Sequence, residues 1–331
     1  MNSKVQARCD LLADNMGVLQ KGFLFENALL RIISASIFAE GGKNVDTEYL
    51  KECRNVLRKN EGSFSNFRGI NELIVATKMA QVADPESYIL DVSEVYKKLK
   101  NGKLCGTRYM SLAAMSIVDA KRTSDADGII EKGAEILKGM KSKHPFLTSE
   151  EDICFVELLA MSDKSTEDIL SELEESYQIL KKSFSFHDNA VYSLAQVLTL
   201  EDGDVSEKAS KVVELFNALK DAGVKYGKDY ELASLGALIK IDISVSELAE
   251  EIAETSKYLK TKKGFGILHC GEKSRHLFAA LVVAGVLSED NAALNASVVE
   301  GALSVIIAQE VALLSSMIAA SAVAASSSSS H

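Results

Sequence analysis

Two kinds of helical stretch alternate along the chain, and their apolar patterns differ. The first kind is apolar nearly all round, over residues 73–80, 109–118, 153–160, 190–198, 232–239 and 277–284. A helix without a polar face has to be surrounded by other elements, so these read as inner helices. The second kind is amphipathic. Ile169, Leu173, Tyr177 and Leu180 fall at helical steps, as do Ile130, Ala134 and Leu137, and Val212, Phe216 and Leu219. Such steps lay one apolar stripe on one face and leave the other polar, which marks outer helices. No stretch alternates apolar and polar residues with β-branched enrichment, so no sheet is expected.

The alternation is punctuated at a steady interval. Leu57, Leu99, Leu137, Leu180, Leu219 and Leu259 each precede a Lys or Arg at a helix end and recur about every 40 residues, the spacing of stacked supersecondary units. A turn and an aromatic follow: Phe64, Phe146, Phe186, Tyr226 and Phe265, with Leu104 in that place in the second copy. Outer helices open on cap residues: Asp46, Asp84 before Pro85, Ser165, Asp204 and Ser244. The N-terminal region fits as one more unit, with an apolar helix over 23–39, a Gly41-Gly42 turn and an outer helix from Asp46. The expected fold is all-α: about seven helical hairpins stacked into an α-solenoid, with residues 1–331 as one domain. Closure of the same hairpins into an α/α toroid is the alternative. An apolar closing helix is expected over 302–325, followed by a flexible serine-rich tail over 326–331.

Composition narrows the class. The chain has 331 residues, only two prolines and a net charge of −10, so a nucleic-acid partner is not expected. Five scattered cysteines without a CxxC pair and an N-terminus without an apolar signal region point to the cytoplasm. The 302–325 run is long enough to span a bilayer, but Gln309 and Glu310 near its middle argue against a membrane anchor.

Several short motifs carry a resemblance. They are Ser65-Asn-Phe-Arg-Gly69, Thr107-Arg-Tyr-Met-Ser-Leu-Ala-Ala114, His144-Pro-Phe-Leu-Thr-Ser-Glu-Glu-Asp152, Lys263-Gly-Phe-Gly266 with Arg275, and the Ala/Ser-rich tail. Together they resemble, over nearly the whole chain, a bacterial family known as domain of unknown function 4003. The resemblance implies no activity, so no catalytic residue is carried over.

Candidate chemistry gathers at the inner-helix starts. Arg68, Arg108, Thr148 with Asp152, Asn189, Glu231 and Arg275 stand there, and equivalent positions of stacked repeats line one edge. Helix N-termini favour anions, and arginines add bidentate recognition. Ligand-binding candidates are therefore Arg68, Arg108, Thr148, Asp152 and Arg275. Lysine groups, among them Lys138, Lys141 and Lys143, would line the same edge as a solvated complement to helix dipoles. His269, Cys270 and His276 match no zinc spacing, so no metal is expected, and no cofactor or enzyme motif is present. The sequence thus points to a binding or scaffold protein that recognises a peptide, a protein or an anionic ligand along this edge. An enzyme or small-molecule binder with an anionic ligand in a central pocket is one alternative. Self-assembly into a homo-oligomer through 302–325 is another.

Overall fold

The computed structural model describes residues 1–101, 106–266 and 270–289. Thirteen α-helices follow one another in these residues. They are α1 (Ser3–Gly22), α2 (Ala28–Glu40), α3 (Thr47–Asn60), α4 (Glu72–Met79), α5 (Pro85–Leu99), α6 (Arg108–Asp119), α7 (Ala126–Lys143), α8 (Ile153–Ala160), α9 (Thr166–Ser183), α10 (Asp188–Leu200), α11 (Val205–Asp221), α12 (Val245–Lys260) and α13 (Glu272–Glu289). A 3-10 helix, Tyr230–Leu238, stands between α11 and α12. No strand is present among the described residues.

The helices begin where local chemistry sets them. Asp46, Asp84, Asp204 and Ser244 accept hydrogen bonds from first-turn amides of α3, α5, α11 and α12, and Ser165 does so for α9. At α12 the reciprocal contact from Glu247 completes a capping box. Inner positions fall to α2, α4, α6, α8, α10, the 3-10 helix and α13. No residue of α4, α6 or α8 is exposed, and most are buried. Outer positions fall to the amphipathic α1, α3, α5, α7, α9, α11 and α12, each buried along one stripe. The 232–239 stretch takes the tighter 3-10 path rather than an α-helix. Gly236 there lies so close to α10 that a Cβ would stand 2.6 Å from Val197; the narrower 3-10 coil suits that approach.

The expected open solenoid gives way to the alternative, a closed ring. Each outer helix packs on the next, and α1 packs on α12 and α13 as well as on α2 and α3. The inner layer closes likewise, with α13 against α2. Side chains seal the seam: Lys262 Nζ lies 2.6 Å from Asp10, Tyr258 donates to Asp10 at 2.8 Å, and the Asn2 amide donates to Glu251 at 2.6 Å. The Met1 ammonium pairs with Glu254.

The first helix is a further departure. The apolar segment expected from residue 23 is a turn over 23–27, and α2 starts at Ala28. Ahead of it, α1 buries Val5, Cys9, Leu12, Met16 and Leu19, an outer-helix stripe. It takes the outer place beside α12, so the described ring closes without residues 302–325. That stretch, the 326–331 tail and Leu104 lie outside the described residues.

Candidate functional site

Closure puts equivalent turns on one rim. Every outer helix ends, and every inner helix begins, at the same rim; the opposite rim carries the reverse connections. Four turns of the first rim, those ahead of α2, α4, α8 and α10, treat their apolar residues in opposite ways. One residue packs inward: a buried phenylalanine in three of the turns and half-buried Leu147 in the turn ahead of α8. Phe23 is buried with the Arg54 guanidinium 5.5 Å from its ring centre. Phe67 is buried edge-on to Tyr96 at 5.0 Å, and Phe184 packs edge-on against Phe216 at 5.1 Å. A second residue projects into solvent: Phe25 is 105% exposed, Phe64 103%, Phe146 97% and Phe186 96%. Leu24 is exposed beside Phe25. Phe186 also takes a left-handed backbone, φ 68°, which is costly for a bulky residue. Nothing packs against its side chain to offset that cost.

The two last turns differ. Tyr226 and Phe265 are buried, Tyr226 sharing a hydrogen bond with Ser234 at 2.6 Å. The repeated aromatic is thus two things: a core residue in those two turns and a presented one ahead of α4, α8 and α10. Sequence reading treated all of them as turn aromatics. The signal that could have separated them is the second apolar residue, Phe67, Leu147 or Phe184, within three positions.

Charge divides the rims as well. Outer-helix last turns carry basic residues, among them Lys21, Lys59, Lys97, Lys141 and Lys181, which complement the dipole. The opposite connections carry the acidic caps Asp46, Asp84 and Asp204 and the first-turn acid Glu207, whereas the first-turn acids Glu86 and Asp127 pair with Lys59 and Lys98 from the ends of neighbouring outer helices at 3.5 and 2.9 Å. A chain of net charge −10 therefore presents one locally basic rim, and that rim bears the phenylalanines.

The five residues expected to bind ligand are placed as follows. Arg68 is committed to Glu72, its Nε 3.7 Å from the carboxylate that Arg58 and Arg54 also bind at 2.6 and 3.1 Å. Arg108 opens α6, and its carbonyl accepts from Asn71 and Ser111. Thr148 is buried. Asp152 is buried and accepts from the Ser149 amide at 2.7 Å and from Gln196 at 2.8 Å. Burial pushes its carboxyl up to about 6, against the lowering effect of those two donors. Arg275 is buried at the start of α13 with Glu272 3.8 Å away. Arg68 is thus engaged within its own turn and Asp152 with Ser149 and Gln196, and the fully exposed side chains of this rim include phenylalanines and lysines.

Other chemistry is modest. His276 is buried against Ser256 at 2.8 Å; burial, and then Arg275, lower its pKa and keep the ring neutral. His269 lies outside the described residues. Among the described residues no group of three or more His, Cys, Asp or Glu is placed to hold a metal ion, and no helix is long and apolar enough to cross a membrane. A cavity of about 730 Å3 opens between α5 and α7 above α6 and α8, with Lys97, Met110, Ile130 and Glu157 among its walls. None of the five expected residues lines it.

Among the described residues seven inner and seven outer helices alternate, which makes the chain an all-α protein. The chain belongs to the family described as "Protein of unknown function (DUF4003)", whose model matches residues 18–312. Among curated proteins, and among solved structures, nothing matches it.

Proposed function

We propose that this protein is a docking or scaffold protein that works through the rim where its inner helices begin. The observation that carries this reading is the full exposure of Phe25, Phe64, Phe146 and Phe186 at equivalent turns. Single exposed apolar residues are ordinary on any surface. Four in repeat-equivalent places, one of them on a strained backbone, are a pattern. Buried Phe23, Phe67 and Phe184 in three of these turns, and half-buried Leu147 in the fourth, pack on the core, so the exposed phenylalanines are not needed for it. The lysines beside them give the rim a sign, and sign guides encounter with a partner.

The reading keeps the edge expected from sequence and changes its residues, from arginines to phenylalanines and lysines. It is tested by placing a photo-crosslinking amino acid at position 146 or 186, and in separate chains at Leu90, which is exposed on the outer wall. In the cells that make the protein, positions 146 and 186 should give discrete adducts, of protein or of lipid, and position 90 should not. Absence of adducts at both rim positions, or equal adducts at all three, would overturn the reading.

A further inference from the structure

We infer that the occupant of the rim is the surface of an anionic lipid bilayer. This rests on the docking reading of the same rim and names its partner. Three observations favour a bilayer over a protein. First, the apolar groups stand singly on separate turns around a ring. Protein interfaces concentrate their energy in a few central, well-packed residues. A bilayer surface can receive separate tips, since each ring enters the boundary between headgroups and chains independently.

Second, three of the four exposed phenylalanines are preceded by lysines with no ion pair among the described residues, while Arg58 and Lys59 ahead of Phe64 pair with Glu72 and Glu86. Lys21 precedes Phe25, Lys138 and Lys141 precede Phe146, and Lys182 precedes Phe186; all four are exposed. An apolar tip beside free cations is the chemistry of peripheral attachment to anionic lipid, in which the two attractions add. The exposed acids Glu150 and Glu151 share the Phe146 turn and temper the attraction there. Third, the outer-helix starts at the opposite connections carry the acidic caps Asp46, Asp84 and Asp204, so an anionic surface attracts them less than the lysine-bearing turns and favours approach with the phenylalanines leading. Peripheral attachment of this kind needs no spanning helix. It differs from the C-terminal anchor that Gln309 and Glu310 disfavour.

The test is co-sedimentation of the full chain with phosphatidylcholine vesicles, alone or mixed with phosphatidylglycerol. The parent protein should sediment with the anionic vesicles, not with the neutral ones, and less at raised salt. The Phe146→Ser/Phe186→Ser double variant should bind the anionic vesicles at least about tenfold more weakly. Its melting temperature should not change, because both side chains are fully exposed. Lys141→Glu/Lys143→Glu gives a second, independent loss. A parent protein that ignores anionic vesicles would overturn the inference. So would a phenylalanine variant that binds as well as the parent, since the affinity would then lie elsewhere, for instance in the apolar 302–325 run. If vesicle binding fails while position 146 still crosslinks to a protein in cells, the rim is a protein-docking surface and only the bilayer is wrong. If both fail, the docking reading falls too.

Discussion

Phe67→Ala should destabilise the folded ring by about 4 kcal/mol, while Phe64→Ser, three residues away, should change stability by less than about 0.5 kcal/mol. Phe67 is fully buried and meets Tyr96 edge-on, so its removal loses both transfer energy and packing around a cavity. The Phe64 ring has no such environment to lose. Urea unfolding of the two single variants measures the contrast. A comparable loss from both would mean that the rim phenylalanines are part of the core, and the functional reading of the rim would go with it.

Glu72→Ala should cost about 3 kcal/mol near neutral pH. Glu72 is buried, and its Oε1 accepts from Arg58 and Arg54, while Arg54 reaches on to Glu26 at 2.9 Å. Removing the carboxylate leaves the largely buried Arg54 with Glu26 alone and takes its counter-ion from the partly exposed Arg58, which costs more than the pair itself contributes. Burial raises the Glu72 pKa, but the hydrogen bonds and charge of Arg58 and Arg54 outweigh it, and the net shift is downward from 4.5. The sign of the pH dependence follows from that direction. A depressed carboxyl contributes stability above its unfolded value and loses it as pH falls through the folded one. The difference in stability between parent and variant should therefore be full at pH 7 and shrink on acidification below about pH 4.5. A difference that grows toward low pH would contradict the assignment.

The parts of the fold written in sequence are those that depend on helical period. Residues 153–160, apolar all round, are α8, and the stripe Ile169, Leu173, Tyr177 is buried on α9. Caps were legible for the same local reason, since Asp84-Pro85 and Ser244 with Glu247 act within one turn. The first helix carries an equally regular stripe from Val5 to Leu19, yet reading the units from an apolar helix onward leaves it out. Closure was not legible. It depends on the rotation between hairpins, which side-chain packing sets, and on pairs such as Asp10 with Lys262, far apart in sequence. The site was half legible. The edge follows from the repeat, but which phenylalanine of a turn is buried depends on a few backbone angles, as between Phe184 and Phe186. Arginine spacing alone did not reveal that Glu72 would claim Arg54, Arg58 and Arg68.

The rim exists as one surface only if the ring is closed. Zero-length carbodiimide crosslinking read by mass spectrometry tests closure directly. Asp10 and Lys262 stand 2.6 Å apart across the seam, and both are partly exposed. Lys98 and Asp127, 2.9 Å apart on neighbouring outer helices, provide a control that an open or a closed stack would satisfy. A closed ring predicts an isopeptide between Asp10 and Lys262 in monomeric protein alongside the control. Recovery of the Lys98–Asp127 crosslink without the Asp10–Lys262 one would contradict closure, and with it the single rim on which the proposed docking depends.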